Sequence, residues 1–243
     1  MRRLFMGGMV MLAMVIFMSG CDTLRTVRGT GDMTAETREL NSFSAVDLAS
    51  IGNVIVEYGE RESLRIEAEE NLLPYLESEI EGGTLKLGHR EGINILPTQG
   101  IFYYLTVREL DEVRVSGLGN IDVPRLEGTQ VEIRLSGAGD INVEEVNTKK
   151  LDVLLSGLGN LTIDSGEVAN SDIQLKGAGS YNAGNMASEV VTVDVSGMGS
   201  AAVWARDSLD ATISGGGSVQ YEGRPQVTQQ ITGLGEVRAS SGE

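Results

Sequence analysis

The chain has 243 residues, with 19 basic and 35 acidic side chains and a formal net charge of −16 at pH 7. A surface this acidic repels phosphate backbones, which excludes nucleic acid as a partner. It also argues against a polybasic contact with anionic lipid. Aromatic residues are only 5% of the chain, and 32 glycines accompany 4 prolines, a composition typical of many strands joined by tight turns.

Residues 1–20 have the pattern of a bacterial secretory signal peptide. Arg2 and Arg3 precede an apolar stretch over residues 4–17, which barely reaches the roughly 17–25 residues that a membrane-spanning helix needs. The next residues, Met18-Ser19-Gly20-Cys21, resemble the lipobox of bacterial lipoproteins, in which the cysteine is acylated and becomes the new N-terminus. Cys21 is the only cysteine, and lipidation explains a lone thiol in an oxidising compartment better than an incidental cysteine does. We therefore predict a signal peptide and a palmitate-bearing membrane anchor at Cys21.

The mature chain, residues 21–243, loses Arg2 and Arg3 and keeps 17 basic and 35 acidic side chains, a net charge of −18. Residues 21–37 are polar and predict a flexible tether. Asp22 resembles the signal that retains a lipoprotein on the inner membrane of enteric-type bacteria. The sequence thus predicts a lipid-anchored envelope protein, on the inner or the outer membrane, with its domain in the periplasm or at the cell surface.

Residues 38–110 predict an irregular β-rich region. Candidate strands, separated by charged or glycine-containing turns, are Phe43–Leu48, Asn53–Tyr58, Leu64–Ala68, Thr84–Leu87 and Ile101–Val107. One short helical turn, broken at Pro74, is expected over Asn71–Leu76. We expect this region to cap the repeat that follows, because an open end would expose apolar residues and unpaired strand edges.

Residues 111–239 contain a repeat. A Ser-Gly-x-Gly motif followed by a polar residue recurs seven times, in exact or degenerate form, starting at Ser116, Ser136, Ser156, Lys176, Ser196, Ser214 and Thr232. The first four steps are 20 residues and the last two are 18. Apolar residues alternate on both sides of each motif, as in strands with one buried face. Each repeat is thus predicted to contain a strand, a corner, a second strand and a return turn.

Twenty residues leave no room for a crossover helix or for a four-strand propeller blade. We predict an all-β fold, a parallel β-solenoid of about seven coils of 18–20 residues. An antiparallel meander of hairpins is the alternative, although it explains the recurrence of identical residues at identical positions less well.

The motif glycines are predicted to be structural, because sharp corners need positive φ or close approach between coils. They are Gly117, Gly119, Gly137, Gly139, Gly157, Gly159, Gly177, Gly179, Gly197 and Gly199. The flanking Ser116, Ser136 and Ser156, and likewise Asn120, Asp140 and Asn160, are expected to form polar ladders.

An acidic column is predicted on the outward face of the strand before each corner. Its members are Glu112, Glu132, Asp152, Asp172 and Asp210, interrupted only by Thr192. Stacked carboxylates repel, so cations or Arg114 and Arg134 must compensate them. The column is either a solvated face or a weak strip for binding cations or glycans, and no loop is long enough to build a cleft there.

The sequence gives little support for a metal site or a catalytic triad. His89 is the only histidine, which excludes histidine clusters for metals and disfavours a Ser-His-Asp triad. The corner motif does not match the calcium-binding nonapeptide, whose period is nine. We predict no catalytic residue, no metal and no cofactor.

The order of segments resembles the head GIN domain family of bacterial envelope proteins, which are described as autotransporter adhesins. The resemblance covers about residues 38–239 and rests on Asn41–Val46, Ile51–Glu57, the Leu72–Leu87 segment and the corner series. It implies a β-rich solenoid-like fold and an adhesion role, and it brings no catalytic residues.

The predicted function is that of a non-enzymatic, lipid-anchored envelope rod that binds a surface glycan or an envelope protein. An enzyme acting on polysaccharide is the alternative from another class, because parallel β-solenoids host lyases and hydrolases. A purely structural envelope role is the third.

Overall fold

A computed structural model describes residues 25–240 of the chain. The predicted signal peptide, Cys21 and Asp22 lie outside the described residues. Between residues 25 and 240, no helix is both long enough and apolar enough to cross a membrane.

The first half contributes nine strands and a single 3-10 turn at Leu73–Tyr75. The strands are β1 (Arg25–Arg28), β2 (Met33–Glu39), β3 (Ala45–Leu48), β4 (Ile51–Tyr58), β5 (Ser63–Glu69), β6 (Leu76–Glu81), β7 (Thr84–His89), β8 (Ile93–Leu96) and β9 (Phe102–Val107). Five of them overlap the predicted segments, whereas β1, β2, β6 and β8 were not predicted.

The second half consists of nine strands, several of which run through most of a coil. They are β10 (Glu112–Val115), β11 (Leu118–Leu135), β12 (Ile141–Leu155), β13 (Asn160–Leu175), β14 (Ser180–Val195), β15 (Ser200–Ile213), β16 (Ser218–Gly223), β17 (Gln226–Ile231) and β18 (Glu236–Ala239). Alternate side chains point into one continuous hydrophobic core, as the apolar alternation predicts.

Successive coils stack in parallel, and each residue pairs with the equivalent residue of the next repeat. Val113 pairs with Ile133, for example, and Ile133 pairs with Val153. Every pairing among β10–β18 is parallel, so the antiparallel meander is wrong and the predicted β-solenoid is confirmed. The seven corners delimit about six turns.

The return between the two strands of a coil is itself paired, unlike the return turn that the sequence predicted. In β12 and β13 the ladder is interrupted at Glu144 and Asp164, and again at Lys149 and Ala169. Between these bends, Val146 and Thr148 stay in register with Gly166 and Val168. Each coil therefore has three paired segments: face A before the corner, face B after it, and face C between them.

The N-terminal region continues the solenoid before it closes one end. Strands β3 and β4 pair in parallel with β10 and β11, and β7 and β9 pair in parallel with β3 and β4. Gly52 and Asn53 align with Gly119 and Asn120 and so form a degenerate corner. Antiparallel pairs of β6 with β7, β5 with β9 and β2 with β5 then close the end. The predicted cap is therefore present.

From Arg25 onward, the segment predicted to be a flexible tether is paired. Strand β1 pairs in parallel with β8, and β2 pairs in antiparallel with β5 along seven residues. The side chains of β2 are mostly exposed, so no apolar alternation marked it as a strand. Backbone pairing holds this edge strand in place.

Candidate functional site

The corner glycines lie where successive coils are too close for a side chain. A Cβ on Gly157 would lie 2.0 Å from the carbonyl oxygen of Gly137, and a Cβ on Gly159 would lie 1.7 Å from that of Gly139. Gly159 also has φ +142, which L side chains rarely adopt, whereas Gly157 has an ordinary φ. Close approach therefore requires both glycines, and conformation adds a second requirement at Gly159.

An amide and carboxylate ladder follows the first three corners of the repeat. Asn120 accepts from the backbone N–H of Asp140 at 2.9 Å, and the Asp140 carboxylate accepts from the backbone N–H and the side-chain amide of Asn160, both at 2.9 Å. Asn120 also donates to Asn53 in the degenerate corner at 3.0 Å. Ser116, for which a serine ladder was expected, instead donates to Asp47 at 2.7 Å.

The acidic column lies on face A as a continuous register. Glu112 pairs with Glu132, Glu132 with Asp152, and Asp152 with Asp172, while Thr192 separates Asp172 from Asp210. Carboxylates are thus stacked at a spacing of about 4.8 Å over four coils. At this distance like charges repel unless basic groups compensate them.

Basic side chains two residues away on the same strand compensate the first three carboxylates. Arg114 contacts Glu112, Arg134 contacts Glu132, and Lys150 Nζ lies 2.7 Å from Asp152 Oδ1. Gln130 also donates to Asp152, at 2.8 Å. No ion pair within residues 25–240 involves Asp172 or Asp210.

Two shallow clefts adjoin on face A around Asp172. The first, of about 360 Å³, is lined mainly by Glu132, Arg134, Asp152 and Gln174, and the second, of about 470 Å³, by Thr129, Lys149, Asn170 and Val190. Gln130, Lys150 and Asp172 line both. The sequence predicted no cleft here because no loop is long. Side chains standing out from neighbouring coils form these walls instead. Carboxylates, amides and ammonium groups together can donate and accept hydrogen bonds to a hydroxyl-rich ligand.

A buried carboxylate in the cap was missed by the sequence reasoning. Glu69 is fully buried and accepts hydrogen bonds from Gly31 N–H at 2.6 Å, Thr98 N–H at 2.7 Å and Thr98 Oγ1 at 2.6 Å. Burial acts to raise the pKa of Glu69, but hydrogen bonds from Thr98, Gly31 and Gln99 outweigh it and lower the pKa. Glu69 thereby fastens the N-terminal segment, which leads toward Cys21, to the cap.

His89 is half-buried rather than a free surface residue. Its Nδ1 lies 2.8 Å from the Oγ of Ser50, which is buried beside the degenerate corner. The pair links the cap to the first corner, and the burial of Ser50 leaves its hydroxyl inaccessible to a substrate. Within residues 25–240, no group of three or more His, Cys, Asp and Glu side chains is arranged to hold a metal ion.

The fold is a capped parallel β-solenoid. Its face A is polar, and the two clefts on that face are open to solvent. Residues 42–225 match the family "Putative auto-transporter adhesin, head GIN domain". The chain belongs to this family, as the sequence resemblance predicted. No curated protein matches the chain in sequence.

Solved structures share the same architecture. A "putative adhesin" from Bacteroides fragilis is 21% identical with a TM-score of 0.83, and the match covers 88% of this chain and 100% of that one. A "putative adhesin" from Parabacteroides merdae is 23% identical (TM-score 0.64), and a "putative lipid binding protein" from Parabacteroides distasonis is also 23% identical (TM-score 0.67). Both matches cover 89% of this chain and 100% of the other. At these identities the likeness shows the fold alone.

Proposed function

We propose that the protein is a non-enzymatic, lipid-anchored adhesin of the bacterial envelope, a stiff rod that contacts glycan or protein along face A. The observation that carries this proposal is the pair of adjoining polar clefts around Asp172 on the side of the rod. The described chain begins at Arg25 in β1, which pairs with β8 in a separate two-stranded sheet, and the cap strand β6 lies at the opposite end of the main strand order from β18. An anchor at Cys21 would therefore hold the capped end at the membrane and leave face A accessible.

Family membership and the naming of the similar structures support an adhesin-like role. The chemistry of face A supports it too, because its groups suit hydrogen bonding to hydroxyl-rich ligands. The column residues Glu112, Glu132 and Asp152 are compensated by their own strands. Of the other two, Asp172 lines both clefts and Asp210 lines neither, so Asp172 is the carboxylate of the column best placed for a ligand.

Retention on immobilised neutral and acidic glycans tests the binding role. We expect the full-length protein to be retained without shortening the glycan, and Asp172→Asn and Lys150→Gln to weaken retention. Glu222→Gln is the matched control, since Glu222 is exposed and aligns with Glu167 on face C, away from both clefts. Shortened glycan whose release requires Asp152 and Asp172 would support the enzyme alternative instead.

The anchor has its own test. Cys21→Ser should abolish acylation and leave uncleaved precursor in the membrane, because the lipoprotein peptidase acts only on the modified cysteine. Metabolic labelling with palmitate and the mass of the N-terminal peptide measure this outcome. A normally processed, soluble variant would contradict the anchor.

A further inference from the structure

An apolar ridge runs along the corners of the solenoid. The central residue of each motif belongs to it, and the seven are Leu118, Ala138, Leu158, Ala178, Met198, Gly216 and Leu234. The four large side chains are 53, 63, 77 and 96% exposed in chain order. Backbone hydrogen bonds fix each position, for instance from Leu158 N–H to Gly137 O and from Met198 N–H to Gly177 O, both 3.0 Å. A contiguous exposed apolar line of this kind is typical of an interaction surface.

Large and small residues alternate along the ridge. The large side chains stand on every second coil, about 9–10 Å apart, with alanine or glycine between them. Gly216 is informative because a Cβ there would meet nothing within 4 Å, whereas its neighbours Gly215 and Gly217 are each crowded at 1.9 Å. Nothing within the described chain requires Gly216 to be small.

The ridge also carries little charge. Residues directly flanking the glycines are serine, threonine or asparagine except for Lys176, Asp140 and Glu236, which sum to a charge of −1. The whole chain carries −16. Electrostatic repulsion between two copies is therefore small along this strip.

We propose that a second copy of the chain packs antiparallel along this ridge, so that Leu158, Met198 and Leu234 each lie over a small residue of the partner. Leu118, on the first coil, lies beyond the partner's last motif. With the two-fold axis between the coils of Ala178 and Met198, Met198 faces the partner's Ala178. Leu158 then faces the partner's Gly216, and Leu234 faces the partner's Ala138. A parallel two-fold pair in register would place each large side chain against its own counterpart, which leaves the small positions unfilled.

The contact is small, so the association is weak. Six coil steps of about 4.8 Å make a ridge roughly 30 Å long, and a strip about 10 Å wide covers on the order of 300 Å² on each copy. Stable complexes bury about 800 Å² on each partner. Dimers therefore form only at high local concentration, as between two closely apposed membranes that each carry many copies. This consequence rests on the proposed function: antiparallel rods place their capped ends apart, so that copies anchored on two facing membranes would join the membranes.

Cysteine cross-linking tests the arrangement in the full-length chain carrying Cys21→Ser, which has no other thiol. One preparation carries Ala138→Cys and another Leu234→Cys. We expect a mixture of the two to yield at least about tenfold more disulfide-linked dimer than either alone, since Ala138 and the partner's Ala138 lie five coils apart. Equal cross-linking by either variant alone would overturn the antiparallel arrangement, and no cross-linking in the mixture would overturn self-association.

Filling the gap at Gly216 gives an independent test. Gly216→Leu adds apolar surface in open space, so the fold is retained, but it collides with the partner's Leu158. We expect the mixed cross-linking yield to fall at least about fivefold, with Leu96→Asp as the control for an exposed apolar residue off the ridge. An increased yield would indicate unspecific hydrophobic contact and contradict the fit. If the protein does not self-associate but is still retained on glycan and still acylated, the dimer is refuted and the proposed function is not.

Discussion

At the scale of single residues, the glycines differ from one another although the sequence shows them in the same motif. Gly159 and Gly216 illustrate the difference. The first is surrounded by the backbone of the preceding coil at positive φ, and the second has open space and an ordinary φ. The repeat predicted that the corners need glycine, but the contact distances identify which glycines the fold requires.

Gly159→Ala is expected to lower the free energy of unfolding by about 2 kcal/mol or more, because the methyl group meets Gly139 O and φ is unfavourable. Gly216→Ala is the control and should change it by less than about 1 kcal/mol. Urea denaturation measures both. Equal losses in the two variants would show that the corners are not packed as described.

Glu69 predicts a pH dependence. Its folded pKa lies below that of an unfolded glutamate, about 4.3, so its contribution to stability is present above that value and is lost as pH falls through the folded pKa. Glu69→Gln should remove this dependence, so the difference in free energy of unfolding between wild type and variant should shrink below about pH 4. Urea denaturation at pH 7, 5 and 3 measures it. A constant difference would mean that the carboxylate makes no such contribution.

At the scale of elements, the acidic column shows how a repeated strand tolerates stacked charge. Each of the first three carboxylates has a basic partner two residues away on its own strand. The sequence predicted the arginines of the first two coils. Lys150 was missed because it precedes its carboxylate, whereas Arg114 and Arg134 follow theirs.

Lys150→Gln leaves Asp152 between Glu132 and Asp172 without its ammonium partner. We expect a loss of stability below about 1 kcal/mol, since the pair is partly exposed, and a smaller loss in high salt. The double variant with Asp152→Asn should recover most of it. Thermal unfolding at low and high salt measures these effects, and a loss that salt does not change would refute the electrostatic explanation.

Strands with a buried face were predictable, and strands without one were not. The alternation of β10–β15 is visible because every second residue enters the core. Strand β2 has almost no buried side chain and is held by pairing with β5, so its sequence resembles that of a tether. The Glu69 contacts join residues 38 and 29 positions apart, and no local pattern encodes them.

At the scale of the whole molecule, the fold is one continuous solenoid rather than a rod with a separate N-terminal domain. The hydrophobic core runs from the cap through to Val219, and β3 and β4 belong to the same ladders as the repeats. Because the cap closes one end and carries the N-terminal segment, the molecule has a direction. Two neighbouring rods therefore have their capped ends together when they are parallel and apart when they are antiparallel.

Protease treatment of intact cells tests the central claim, a lipid-anchored rod that acts outside the cell, most directly. An adhesin requires that residues beyond Cys21 be digested from outside, with the acylated N-terminal peptide left in the membrane and identified by its mass. The retention signal that Asp22 resembles predicts the opposite result. Protection of the whole chain until the outer membrane is opened would contradict adhesion to other cells.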